Sequence, residues 1–133
     1  MKALILTFGY GNRKDYSELK EAISSFNVGL LVDVRLKPRA WTRRWWGDQI
    51  SAFCEASGID YASEPSLGNV SGKAEWIPPD KDAAKRSLER LSERASDQTI
   101  LLLCAELDHN RCHRTQVADE LNLLVNGKVR HVA

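Results

Sequence analysis

Residues 103–114 read Leu-Cys-Ala-Glu-Leu-Asp-His-Asn-Arg-Cys-His-Arg, directly behind the apolar run 99–103. A strand that ends where a helix begins brings side chains to the edge at which parallel α/β sheets bind ligands. Cys104 and Cys112 are therefore candidate nucleophiles, because a thiol near a helix amino terminus and beside Arg111 and Arg114 is pushed toward the thiolate. His113 is a candidate proton carrier. Glu106 and Asp33, in a partly desolvated site, suit general acid and base work. The bland alternative for Cys104 is packing at the end of a buried strand. Glu106 and Asp108 also stand where a phosphate cradle would want Gly and Ser.

The same cysteines and His113, with His109, could be read as metal ligands. Adjacent residues on a helix point about 100° apart, so Cys112 and His113 are expected to diverge, and no second paired motif completes a tetrahedron. No metal and no cofactor is expected.

The arginines carry a different chemistry. Arg35, Arg111 and Arg114 fall near one expected helix terminus, and guanidinium groups bind phosphate or carboxylate in bidentate fashion. The turn Gly9-Tyr10-Gly11-Asn12, followed by Arg13, offers backbone donors in the manner of a phosphate-binding turn, although it lacks a full Gly-rich fingerprint. The competing structural reading pairs Arg35 and Arg114 with Asp33 and Glu106 as an ion network. A third stretch, residues 35–46, interleaves basic residues, among them Arg39, Arg43 and Arg44, with Trp41, Trp45 and Trp46 and contains no acid. Such a stretch can hold a phosphate backbone by charge and stack on exposed bases. Two adjacent Trp cannot both point inward from regular structure, so one of Trp45 and Trp46 is expected at a rim.

These residues need a scaffold. Apolar residues 2–8, closed by a glycine turn, read as a first strand. Asp15 with Glu18 resembles a capping box, and Tyr16, Leu19, Ile23 and Phe26 follow at helical spacing. Residues 28–34 are nearly continuous in Val, Leu and Gly, as in a strand buried on both faces. A helix over 48–57 ends at Gly58, and 59–62 is a weak third strand. Residues 63–79 hold three prolines, Pro65, Pro78 and Pro79, with Gly68 and Gly72, and form a loop long enough to suggest function. An amphipathic helix follows over 80–95, then a fourth strand at 99–104, a helix over 111–125, and a fifth strand at 128–132. Cys54 and His131 read as structural.

Alternating strands and helices imply a single α/β domain over 1–133, three-layered and Rossmann-like, with a mostly parallel five-stranded sheet. For the motifs after strands one, two and four to share a site, strand one should lie between strands two and four, which favours the order 3-2-1-4-5.

The motifs 7–13, Val32-Asp33-Val34-Arg35, Leu67-Gly68, and Leu103-Cys104-Ala105-Glu106 with Cys112-His113-Arg114, in this order, resemble the bacterial and archaeal family known as domain of unknown function 488. The resemblance implies a fold and a site and leaves the reaction open. The basic and aromatic character of 37–46 departs from what the family implies there.

At 133 residues, 43% hydrophobic and 28% charged, the chain can bury one substantial core. A net charge of +1 supplies no global attraction to nucleic acid or membrane. Its apolar runs fall far short of the about 18 residues that span a bilayer. Three cysteines without a secretion-type leader point to thiols and a cytoplasmic protein. The expectation is thus a small hydrolase or transferase for a phosphate-bearing ligand, a nucleotide or nucleic-acid end. The alternatives are a non-catalytic nucleic-acid module built on 35–46, and a thiol-dependent enzyme built on Cys104 and Cys112.

Overall fold

The computed structural model describes residues 3–11, 13–106 and 108–132, with the backbone alone for His109. Strands β1 (Leu4–Gly9), β2 (Val28–Asp33), β3 (Asp60–Ser63), β4 (Thr99–Cys104) and β5 (Lys128–His131) alternate with helices α1 (Ser17–Ser25), α2 (Gly47–Ala56), α3 (Lys81–Ala95) and α4 (Arg114–Val125). All strand pairs are parallel. The expected α/β class with a five-stranded sheet holds.

The strand order is β3-β2-β4-β1-β5 rather than 3-2-1-4-5. β4, not β1, takes the centre, with Leu101 beside both Leu6 of β1 and Leu31 of β2. β4 and β1 are both interior strands, and β1 is buried as fully as β4 and is likewise bonded on both edges, so burial alone does not set which of them is central. Ile100 to Leu103 are all fully buried, as a strand covered on both faces and bonded on both edges requires. β5 alternates exposed Lys128 and Arg130 with half-buried neighbours and serves as an edge. The motifs after β1, β2 and β4 still end on three adjacent strands, which is what the shared site demanded.

Alternation along the strands feeds two cores. Ile5, Leu30, Val32, Ile100 and Leu102 pack with Ala84, Leu88 and Leu91 of α3 and Val117, Ala118 and Leu121 of α4. Leu6, Phe8, Leu31, Leu101 and Leu103 face Leu19 and Ile23 of α1 and Ile50 and Cys54 of α2. Cys54 is a packing residue, and burial pushes its thiol up to about 12.

Three local expectations are revised. The Asp15 carboxylate accepts from Ser17 N–H (2.9 Å), α1 has no side-chain cap, and Glu18 lies 4.0 Å from the Arg13 guanidinium instead of closing a capping box. The last helix begins at Arg114, not 111. A 3₁₀ turn at His109–Arg111, a bend at Cys112 and a turn at His113 precede it. The long loop is packed rather than open. Leu67 is fully buried, Trp76 Nε1 donates to the Gly68 carbonyl (3.0 Å), and Asn69 Oδ1 accepts from Ser71 and Ile77. α3, by contrast, starts as its sequence indicates, with the Asp80 carboxylate accepting from Asp82 and Ala83 N–H.

Candidate functional site

The carboxyl ends of β2, β4 and β1 carry two neighbouring clefts. One, of about 860 Å³, is lined by Tyr10, Arg13, Lys37, Arg39, Trp41 and Trp45. The second, of about 640 Å³, lies between loop residues Asn69, Gly72 and Lys73 and the segment holding Asn110, Arg111, Cys112 and His113. Ala105 and Glu106 border both. Glu106 is exposed there.

Beneath this edge, Asp33 and Arg35 form a closed ion pair. Arg35 Nε and Nη2 donate to the two Asp33 oxygens at 2.7 and 2.6 Å. Nη1 donates to the carbonyl of Trp45 (2.7 Å), with longer bonds to Tyr10 Oη and the Arg39 carbonyl. Tyr61 Oη donates to Asp33 (2.8 Å), and burial together with the Asp33 charge raises the Tyr61 phenol well above its ordinary range. Asp33 is fully buried and Arg35 is 5% exposed. Burial alone would lower the Arg35 guanidinium, but Asp33 outweighs it, and the arginine stays charged. The pair therefore holds the Arg/Trp loop to β2. Proton transfer at Asp33 would require dismantling this bidentate pair, so the geometry withdraws the acid–base role expected of it.

Arg114 is likewise fully buried, and its Nη1 donates to the Glu106 carbonyl. This arginine fixes the backbone that separates the two clefts, which leaves Arg111, exposed and lining the second cleft, as the one of the three expected anion-holding arginines with a free approach. The glycine turn also spends its donors internally. Tyr10 N–H goes to the Cys104 carbonyl (3.1 Å), Gly11 N–H to Ala105 (2.7 Å) and Arg13 N–H to Tyr10 (2.9 Å). These N–H groups do not cradle a phosphate. Gly9 is needed for a close approach, because any Cβ there would collide with the Glu106 carbonyl. Asn12 lies outside the described residues.

Arg13 folds back over the Phe8 ring (4.3 Å) and donates through Nε to the Gly9 carbonyl (2.7 Å). Its Nη2 is buried and meets no acceptor among the described residues. In the Arg/Trp loop, Trp45 is a core residue, 2% exposed, stacked on Tyr10 at 5.1 Å. Trp46 sits half-buried under Arg39 and Arg43, as one rim position of the pair required. Arg44 donates to the Lys14 carbonyl. Trp41 alone is fully exposed. The sequence reading had Lys37 only as one basic residue of the 35–46 stretch, and it missed Lys73 as a cleft residue and Tyr61 as the second partner of Asp33. Tyr61 becomes visible only with the β2–β3 register, which sets Asp33 opposite Ser63.

Cys104, Cys112 and His113 converge, contrary to the helix-based expectation. Both sulfurs lie 3.8 Å from His113 Nδ1, because Cys112 and His113 occupy a bend and a turn in which the 100° helical rotation does not apply. His113 Nε2 is 2.8 Å from the Val34 carbonyl. A carbonyl only accepts, so Nε2 carries the proton and Nδ1 offers its lone pair to the thiols. The neighbouring sulfur and burial push the Cys104 thiol above the ordinary thiol range, while Cys104 and His113 together draw Cys112 below it. The cluster suits nucleophilic or metal chemistry.

The fold and this edge define a three-layer α/β domain with two clefts at the carboxyl ends of its central strands. The family model for the domain of unknown function DUF488 matches residues 15–121, and the chain belongs to that family. The match spans the motifs at 32–35, 67–68 and 103–114 and begins after the glycine turn. No curated protein and no solved structure matches the chain. Among the described residues, no helix is long and apolar enough to cross a membrane.

Proposed function

We propose that the chain binds a phosphate-bearing ligand, a nucleotide or the end of a single-stranded nucleic acid, in the cleft between the β1 turn and the Arg/Trp loop. The observation that carries this reading is the cleft's lining: the exposed cations Lys37 and Arg39 are joined by a single acid, Glu106, beside the exposed indole of Trp41. Two exposed cations at a cleft suit a phosphate, and an indole held in water beside them gains by stacking on a base. The anion-binding role thus passes from Arg35 and Arg114 to the cations that reach the cleft. Glu106, bordering both clefts, is the carboxylate placed to move a proton in a hydrolytic or transfer reaction on such a ligand.

Tryptophan fluorescence titrated with nucleoside triphosphates and with short 5′-phosphorylated oligonucleotides tests the reading. Binding should weaken as salt rises, and a Lys37→Ala/Arg39→Ala double variant should weaken it at least about 10-fold and flatten the salt dependence. Trp41→Ala should remove about 1–3 kcal/mol of stacking without changing the melting temperature. Affinity untouched by either variant, or no binding in any titration, would dismiss the proposal. Glu106→Gln should leave affinity within about twofold and reduce turnover of a substrate by about 100-fold.

A further inference from the structure

We propose that Cys104 Sγ, Cys112 Sγ and His113 Nδ1 form a binding site for one Zn²⁺ ion, at the border of the second cleft. The proposal is independent of the phosphate reading, since it concerns another cleft and is tested with the metal alone.

The geometry is that of a coordination shell already assembled. The three donor atoms all lie within 4.8 Å of one another, and each sulfur is 3.8 Å from Nδ1. With Zn–S near 2.3 Å and Zn–N near 2.0–2.1 Å, a tetrahedral ion spans sulfur–nitrogen edges of about 3.6 Å. The two sulfur–nitrogen edges reach that length with movements of a few tenths of an ångström. The donor set, two thiolates and an imidazole, is one that selects zinc over magnesium or calcium.

The surroundings fit a metal ligand as well. The Nε2–H of His113 is bonded to the Val34 carbonyl at the end of β2. A histidine anchored through its remote nitrogen to a backbone carbonyl has its tautomer and ring plane set for ligation through the other nitrogen. Cys104 ends the central strand, Cys112 and His113 lie in the turn before α4, and all three donors are buried. They are 5–6% exposed, and that small opening is onto the cleft lined by Lys73, Asn110 and Arg111. Three protein ligands with an open side are the arrangement of catalytic zinc rather than of a closed structural site. A water in the fourth position would be a hydroxide source at neutral pH.

The test is metal titration of the full chain under a non-thiol reductant. Co²⁺ should bind one per chain and give thiolate-to-cobalt charge-transfer absorption in the near ultraviolet with strong tetrahedral bands in the visible. Zn²⁺ should displace it, and competition with a chromophoric chelator gives its affinity. Cys112→Ser, Cys104→Ser and His113→Gln should each weaken zinc by about 100-fold or more, whereas Cys54→Ala should leave it unchanged. The spectrum of the unmodified chain reads thiolate coordination by itself, so the test stands even where a buried variant misfolds. Absence of the charge-transfer bands, or zinc affinity indifferent to Cys112→Ser in a folded variant, would overturn the proposal and leave the cluster as a metal-free dithiol.

Discussion

Asp33→Ala is expected to cost the chain about 3–5 kcal/mol in urea unfolding, the usual range when one member of a buried ion pair is removed. The loss arises less from the missing carboxylate than from what stays behind. Arg35 remains charged and would retain only neutral acceptors, the carbonyls of Trp45 and Arg39 and the phenol of Tyr10. Neutral acceptors satisfy its N–H groups but do not balance its charge in a site that admits little water. A double replacement, Asp33→Leu with Arg35→Met, should recover a large part of the loss, because apolar side chains of similar volume avoid the desolvation of both ions. This experiment also separates two roles for Arg35, which borders the second cleft. A loss below about 1 kcal/mol would mean that Arg35 swings into the cleft and is solvated there, making it a cation available to ligands after all.

Gly9→Ala is expected to be as damaging, at about 3 kcal/mol or more, beyond the common range for an inserted methyl. The new carbon would land on the Glu106 carbonyl oxygen, 2.6 Å from its carbon and 3.0 Å from Arg114 Nη1. Backbone, unlike the end of a flexible side chain, cannot turn aside. The Glu106 segment is further held by Gly11 N–H to Ala105 and Tyr10 N–H to Cys104, so relief requires breaking the junction of β1 with β4. The variant should lose stability and ligand binding together, because the same segment divides the two clefts. A folded Gly9→Ala chain with native stability would show that the β1–β4 edge is looser than these contacts indicate.

Much of the scaffold was legible because it depends on neighbours in sequence. Apolar runs marked the strands, Gly58 marked the end of α2, and helical spacing of apolar residues marked α3. What was not legible depends on partners far along the chain. β4 rather than β1 takes the centre although the two strands are equally buried, so their apolar runs look alike in sequence and only the pairing of distant strands tells them apart. Arg114 carries the same charge as Arg111, yet one is sealed against the Glu106 carbonyl and the other is exposed. Only the fold separates them. Cys112 and His113 were read as helical, and the divergence inferred from that period disappeared with the bend. The Asp33 and Arg35 motif, attractive as chemistry, proved to be the ion pair also considered for it, with Tyr61 added from β3.

The placement of β4 between β2 and β1 has a consequence for how the chain reaches this state during synthesis. No ladder joins β1 directly to β2, and both bond to Thr99–Cys104. Until that strand leaves the ribosome, β1 on one side and the β2–β3 pair on the other are separate fragments with unfilled edges. Closure then links residues about 95 positions apart, as in the pairing of Ile5 with Ile100, and such distant contacts are slow to form. The domain should therefore assemble late and in one cooperative event. A nascent chain stalled after α3 should remain sensitive to protease throughout β1 and α1.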